Sequence, residues 1–164
     1  MTQSSTAGTP VHPNVAAVEA ILAAHGVRGG VRLLPEAATT AAAAAAALDV
    51  EVAQIANSLV FDADGAPLLV LTSGAHRVDT AKVAALVDAE QVRRATPEFV
   101  RAATGQPIGG VAPVGHPTPI RTLVDVTLAA QPVVWAAGGI PQALFPTSYD
   151  ELVRMTAGVP AEVA

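Results

Sequence analysis

The first half of the chain alternates between apolar positions at helical spacing and short apolar runs. A first helix is predicted with Asn14 as its N-cap. Its inward positions are Val15, Val18 and Leu22. A short strand is predicted at 31–34. A second helix is predicted from a cap at Thr39 or Thr40 through the alanine run to Leu48, because alanine has the best helix propensity.

Two apolar runs rich in β-forming residues, 57–61 and 67–71, flank the sequence Asp62-Ala63-Asp64-Gly65. An Asp-Gly pair between two such runs is a strong signal for a β-hairpin. Asp62 and Asp64 are therefore interpreted as turn residues and not as a pair of catalytic carboxylates.

The second half of the chain contains three further helix starts, each with a capping residue before an apolar helical pattern. The predicted caps are Asp79, Thr96 and Ser148, and the helix after Asp79 has Val83, Leu86 and Val87 inward. Strands are predicted at 120–126 and 132–136, with another ending at Phe145. Helices and strands mix without a regular repeat. This predicts an α+β fold, with a mixed, mostly antiparallel sheet or partial barrel surrounded by helices.

The composition indicates a folded single domain. The chain has 164 residues, of which 51% are hydrophobic and 3% aromatic, so its core must be built from aliphatic residues and alanine. Residues 1–13 are predicted to be a flexible N-terminal tail and residues 14–164 one domain. No Sec-type signal is predicted, because residues 1–14 lack a basic region followed by an apolar run, and the longest alanine run, 41–47, is too short to span a bilayer. These features predict a cytoplasmic protein without a membrane partner.

The charge distribution limits how the protein can meet nucleic acid. The net charge of −5 argues against broad binding to a phosphate backbone, which needs clustered lysine and arginine. Arg93, Arg94 and Arg101 form the only dense cationic group. Our interpretation of this group is a solvated face, and the alternative is a local patch that binds the end of a nucleic acid.

Most standard catalytic patterns are missing from the sequence. No nucleophile elbow, Walker motif or dinucleotide fingerprint occurs. The absence of cysteine excludes thiol catalysis, disulfides and cysteine-based zinc sites. The four histidines, His12, His25, His76 and His116, are far apart and have no ligand partner at metal-binding spacing. We therefore predict neither a metal nor a cofactor.

The segment 105–119, called the glycine loop below, has neither helical nor strand periodicity. It contains Gly105, Gly109, Gly110 and Gly115 among several prolines. Glycines let other atoms approach the backbone closely, and exposed N–H groups can stabilise an oxygen as it becomes negative. The alternative is an ordered connection between a helix and a strand.

The chain resembles the YbaK/ProX-type aminoacyl-tRNA deacylases, also called the prolyl-tRNA-synthetase-associated editing domain, over residues 31–158. The motifs that carry the resemblance are Gln54-Ile55-x-x-Ser58-Leu59, Arg77-Val78-Asp79-x-x-Lys82, Gly109-Gly110-Val111-x-Pro113-x-Gly115, Val124-Asp125 and Gly138-Gly139. The resemblance implies a compact mixed sheet with helices around it. It also implies a pocket that takes the aminoacylated 3′ end of tRNA and hydrolyses the ester.

The resemblance also implies the site residues and the partners. The implied catalytic residues are Asn57, Gly109, Gly110 and Asp125. The implied substrate-binding residues are Ser58, Thr72, Ser73, Val111, Pro113, Gly115, Gly138 and Gly139. The expected partner is a tRNA acceptor end, with an aminoacyl-tRNA synthetase as a further candidate partner.

One position departs from the family pattern. Relatives usually carry a lysine where this chain has Asn57, and its single lysine, Lys82, lies elsewhere. The first hypothesis is a deacylase acting in trans on tRNA mischarged with Ala, Cys or Ser. The second is a binding module that holds an aminoacyl end, a nucleotide or a small amino-acid-like ligand. The third is a structural or interaction protein that uses an apolar surface.

Overall fold

A computed structural model describes residues 11–164 of the chain. Residues 1–10, most of the predicted tail, lie outside the described residues, and the first helix already includes Pro13. The helices within residues 11–164 are α1 (Pro13–Ala24), α2 (Ala41–Leu48), α3 (Thr80–Val87), α4 (Pro97–Thr104) and α5 (Tyr149–Thr156). None of these helices is both long enough and apolar enough to cross a membrane.

An open sheet of eight strands runs through the described part of the chain. The strands are β1 (Arg32–Leu33), β2 (Ile55–Ala63), β3 (Ala66–Ser73), β4 (Val92–Arg94), β5 (Arg121–Asp125), β6 (Val134–Ala137), β7 (Ala143–Thr147) and β8 (Val159–Ala161). Their order is β1-β7-β6-β2-β3-β5-β8, and β4 also pairs with β2. The pairs β1–β7, β6–β7, β2–β3 and β2–β4 are antiparallel, whereas β2–β6, β3–β5 and β5–β8 are parallel. The predicted α+β fold with a mixed, mostly antiparallel sheet is confirmed.

The β2–β3 hairpin forms the centre of the sheet. Its turn residues Asp64 and Gly65 have φ angles of 52° and 93°, as a two-residue turn between twisted strands requires. Gly65 N–H donates to Asp62 Oδ1 at 2.7 Å, and the Asp64 carboxylate accepts the N–H groups of Glu90 and Gln91. Asp64 is therefore a turn residue, as predicted, whereas Asp62 belongs to β2 and supports the turn through its side chain.

Helices cover both faces of the sheet. On one face, α1, α4 and α5 pack against the central strands through Val18, Val100 and Leu152. On the other face, α3 packs through Val83, and α2 packs through its alanines and Leu48. The small side chains of α2 let this helix lie close to the start of β2.

The cap of α1 differs from the prediction. His12 is the N-cap, and its Nδ1 accepts the N–H of Asn14 at 3.0 Å. Pro13 occupies the first helical position, where a missing N–H leaves no hydrogen bond unmade. The Asn14 side chain instead donates to the carbonyl of Gly139 at 3.0 Å.

The remaining caps are confirmed, but one predicted inward residue is wrong. The side chains of Thr40, Asp79, Thr96 and Ser148 accept main-chain N–H groups at the starts of α2, α3, α4 and α5. Leu86 is 47% exposed, because the buried stripe of α3 follows Val83 and Val87, one helical turn apart.

Two short strands have no clear signal in the sequence. β4 contains two adjacent arginines, and β8 contains Pro160, so neither shows the apolar alternation of a typical strand. Both are three-residue segments that add to existing edges, β4 along 61–63 of β2 and β8 along 123–125 of β5. They are therefore determined by tertiary pairing and not by local preference.

Candidate functional site

The outer edge of β2 has a gap between its neighbouring strands. β3 pairs with one edge of β2 over residues 56–63, so β6 and β4 share the other edge. On that edge β6 pairs only at 55–56 and β4 only at 61–63. Residues 57–60 therefore have no strand neighbour on this side within the described chain.

The main chain of Ser58 faces this gap. Ala63 and Ala66 form the closing hydrogen-bonded pair of the two-residue hairpin. Pro67, which has no N–H, lies opposite Asp62, where the ladder makes no hydrogen bond. Because hydrogen-bonded pairs alternate along an antiparallel ladder, the N–H and C=O of Ser58 point away from β3 and toward the gap.

The side chains of Asn57 and Ser58 leave β2 on opposite faces of the sheet. Ser58 shares its face with Ala56 and Val60, which pack in the core beneath α4 and the glycine loop. Ser58 Oγ is buried and has no hydrogen-bond partner among residues 11–164. Buried hydroxyls without a partner are uncommon, so this stretch of β2 is a place where a ligand or water can supply a missing hydrogen bond.

A cleft of about 670 Å³ opens at the gap. Its volume falls within the range of sites that hold small molecules. The start of α2, the segment before α3, β2 and the glycine loop all contribute to its walls. The lining residues other than those of β2 include Thr39, Thr40, Ala41, Arg77, Val78, Arg94, Ile108, Gly109, Val111, Ala137 and Pro141. The cleft therefore brings together the two segments that the sequence analysis singles out, 54–59 and the glycine loop.

Within the glycine loop, Gly109 and Val111 line the cleft but Gly110 does not. The N–H of Gly110 donates to the Pro107 carbonyl at 2.9 Å. A Cβ on Gly110 would lie 2.6 Å from the carbonyl carbon of Ile140, so only glycine fits this close approach. The predicted oxyanion contact at Gly110 would require this turn to open, whereas the N–H groups of Gly109 and Val111 donate to no other described residue.

Two arginines lie at the cleft without an ion-pair partner. Arg77 and Arg94 line the cleft, and neither is paired with a carboxylate within residues 11–164. Arg93 is different, because its Nε lies 3.5 Å from Asp62 Oδ2. From the sequence alone, Arg93 and Arg94 are predicted to belong to the same solvated face. Recognising β4 would have separated them, since successive side chains of a strand point to opposite faces.

Asp125 lies outside the cleft lining and organises a buried polar cluster, the Asp125 cluster. Its Oδ2 accepts the N–H of Ser73 at 3.0 Å and Thr72 Oγ1 at 3.3 Å, and lies 2.8 Å from His76 Nδ1. Its Oδ1 accepts the N–H and the hydroxyl of Thr127. Burial raises the pKa of Asp125, but the hydrogen bonds outweigh it and hold that pKa below its ordinary value. The ionised carboxylate therefore ties β3, β5 and the turn after β3 together.

The other predicted substrate-binding residues are not among those that line the cleft. Gly138 is buried, and Gly139 packs so closely on Asn14 that a Cβ would lie 2.8 Å from the Asn14 Cβ. Pro113 and Gly115 line a separate pocket of about 330 Å³ beside α1 and α5. Their roles in substrate binding stay predictions, and the contacts of Gly139 show a packing function.

The histidines are dispersed in the structure as in the sequence. His12 caps α1, His25 ends it, and His76 belongs to the Asp125 cluster. His116 Nε2 lies 2.8 Å from the Ala112 carbonyl, and burial lowers the pKa of this imidazole despite that hydrogen bond. Residues 11–164 contain no group of three or more histidine or carboxylate side chains placed to hold a metal ion.

The fold and the cleft define a small α+β domain with a candidate ligand site at an open sheet edge. The sequence model of the aminoacyl-tRNA editing domain matches residues 35–155. The chain therefore belongs to the aminoacyl-tRNA editing domain family, and the resemblance inferred from the motifs is confirmed.

Similar proteins agree with this membership. A solved structure described as a candidate trans-editing enzyme for prolyl tRNA synthetase is 42% identical, with a TM-score of 0.87, covering 94% of this chain and 98% of that one. The proline–tRNA ligase of Solidesulfovibrio magneticus is 41% identical over 93 residues, and that of Latilactobacillus sakei is 35% identical over 86 residues. These matches cover 56% and 52% of this chain but only 16% and 15% of the ligases.

Proposed function

We propose that this protein is an aminoacyl-tRNA deacylase acting in trans on tRNA mischarged with a small amino acid such as Ala, Cys or Ser. The observation that carries the proposal is the cleft at the gap in β2. Asn57 and Ser58 line this cleft together with Gly109 and Val111 of the glycine loop, in a chain that belongs to the editing-domain family.

The cleft geometry suits hydrolysis of an activated ester. A water molecule attacks the ester carbonyl, and the products are the free amino acid and the tRNA with its terminal hydroxyl restored. The N–H groups of Gly109 and Val111 are the candidate donors for the carbonyl oxygen as it becomes negative. Asn57 donates and accepts hydrogen bonds and orients the ester or the terminal ribose. Positioning contributes much of the rate in such a reaction, because the substrate is already reactive.

The charge distribution supports a substrate that is held only at its end. The net charge of −5 disfavours a long phosphate-binding surface. Arg77 and Arg94 nevertheless provide two unpaired cations at the cleft. This arrangement fits the terminal phosphates of an acceptor arm and not an extended RNA duplex.

A second candidate function is binding without turnover. Its support is Asn57, which has no charge at the position where the family pattern has lysine. Lys82 on α3 does not replace the missing lysine, because it is not among the residues that line the cleft. Its Nζ instead donates to the Ala164 carbonyl at 2.9 Å. A protein of this kind would be stabilised by its ligand without hydrolysing it.

A deacylation assay separates the two functions. The native protein and the Asn57→Lys variant are incubated with tRNAs carrying Ala, Cys or Ser, and ester loss is compared with a protein-free blank. Hydrolysis by the native protein supports the proposal. Activity of Asn57→Lys alone supports the binding function, and inactivity of both, with folding verified, contradicts the deacylase assignment.

A further inference from the structure

Gln106 is a polar side chain enclosed in the core beside the cleft. It is 2% exposed, and both ends of its amide are used within the glycine loop. Gln106 Oε1 accepts the N–H of Ala112 at 2.8 Å, and Nε2 donates to the Val114 carbonyl at 3.3 Å. The amide therefore provides the pairing that a helix or strand would otherwise supply to this irregular backbone.

The hydrogen bond from Ala112 closes a ring around the cleft-lining part of the loop. Gly109 and Val111 lie inside this ring, between Gln106 and Ala112. The carbonyl of Ala112 is also held, since His116 Nε2 lies 2.8 Å away and a carbonyl can only accept. Both the N–H and the C=O of Ala112, the residue after Val111, are thus held by hydrogen bonds.

Gln106 is itself anchored to the end of α4. Its N–H donates to Thr104 Oγ1 at 3.0 Å, and Thr104 Oγ1 also lies 2.7 Å from the Val100 carbonyl. Thr104 is as buried as Gln106, with 1% of its surface exposed. The Thr104 side chain therefore links α4 to Gln106, and the Gln106 side chain links that residue to the rest of the glycine loop.

We propose that Gln106 is a positioning residue that holds the N–H groups of Gly109 and Val111 toward the gap in β2. That these N–H groups contact an ester oxygen rests on the proposed function. That Gln106 keeps the glycine loop ordered does not. At neutral pH an amide offers both an acceptor and a donor from one planar group, whereas a carboxylate of the same size offers only acceptors. Methionine fills a similar volume but leaves the Ala112 N–H buried and unpaired.

The test compares Gln106→Met and Gln106→Glu with the control Gln91→Met, which changes an exposed glutamine. Hydrogen exchange of the peptide 105–116 is measured in the free protein, and kcat and KM are measured with mischarged tRNA below the unfolding transition. We expect Gln106→Met to raise the exchange rate of this peptide roughly tenfold over the native protein, with little change in the other peptides. We expect its kcat to fall about 10- to 100-fold with little change in KM.

The Gln106→Glu variant adds a pH-dependent readout. Its carboxylate keeps an acceptor for the Ala112 N–H but has no donor for Val114 until it is protonated. Its kcat relative to the native enzyme should therefore rise as the pH falls toward 5. If Gln106→Met does not fold, this recovery supports the proposal, and a flat ratio overturns it.

Two results would overturn the positioning role. One is unchanged hydrogen exchange of the peptide 105–116 in Gln106→Met. The other is a loss of kcat in this variant that disappears once kcat is corrected for the fraction of folded protein. An inactive native protein contradicts the proposed function instead, and the exchange measurement then still decides the role of Gln106.

Discussion

The Asp125 cluster and the gap in β2 are both polar regions within the same small domain, but they differ in how their hydrogen bonds are satisfied. Both carboxylate oxygens of Asp125 accept hydrogen bonds from neighbours on three chain segments. At the gap, Ser58 Oγ has no partner, and Arg77 and Arg94 have no ion pair within residues 11–164. Satisfied polar groups hold the fold together, whereas unsatisfied ones beside a cleft mark a candidate ligand site.

The two regions meet in the turn after β3. The Asp125 cluster fixes Ser73 and His76, and the next residue, Arg77, reaches the cleft. We therefore expect Asp125 to affect the site through the backbone, since it is not among the residues that line the cleft. This interpretation separates two effects, stability and turnover, that mutations in the two regions should change independently.

The largest expected effect is on stability. Asp125→Ala removes the acceptor for three segments and leaves the N–H of Ser73 buried without a partner. We expect a loss of about 3 to 5 kcal/mol in the free energy of unfolding, measured by urea denaturation. An Asp125→Ala protein of native stability would show that the cluster has no structural function.

The pH dependence provides a control on the same carboxylate. The pKa of Asp125 is lower in the folded protein than its ordinary value of 3.8. Its contribution to stability is therefore complete above pH 3.8 and is lost as the pH falls through the folded-state pKa. Urea denaturation between about pH 5 and pH 2 should show this loss in the native protein and a weaker loss in Asp125→Asn.

The next effect is on turnover alone. Asn57→Ala should lower the rate of deacylation about 10- to 100-fold, because it removes a group that orients the ester. The free energy of unfolding should change by less than about 1 kcal/mol, since Asn57 is only partly buried. Unchanged turnover would sink the assignment of Asn57 to the site.

Two adjacent arginines offer a matched comparison of smaller size. Arg94→Gln removes an unpaired cation at the cleft, and Arg93→Gln removes a cation that faces Asp62. We expect the first change to raise KM for the mischarged tRNA about three- to tenfold and to weaken its salt dependence. The second should leave KM unaltered. Equal effects of both changes would mean that general charge, and not the cleft, attracts the substrate.

Local signals in the sequence account for most of the fold. The hairpin turn and four helix caps follow from residue types at fixed positions, so they are predictable from short segments. β4 and β8 are not, because each forms only when another strand provides an edge. The cap of α1 was misplaced because Asn14 bonds to a loop more than a hundred residues away.

The site was predictable in its segments but not in its geometry. The motifs locate Asn57, Ser58 and the glycine loop, which the fold does bring together. They do not show that β6 and β4 leave one edge of 57–60 without a strand partner, nor that the N–H of Gly110 donates to the Pro107 carbonyl. These properties depend on pairing between distant parts of the chain.

The smallest predicted effect is the sharpest test of the contrast between the two regions. Ser58→Ala removes a buried hydroxyl that has no partner, so it should leave the free energy of unfolding unchanged or raise it by about 1 kcal/mol. The same change should lower deacylation if the hydroxyl bonds to the substrate, and Ser58→Cys, with a weaker donor of similar shape, should give an intermediate rate. A destabilised Ser58→Ala protein would show that Ser58 is already satisfied, by bound water for example. The unpaired groups at the gap would then no longer distinguish it from the Asp125 cluster.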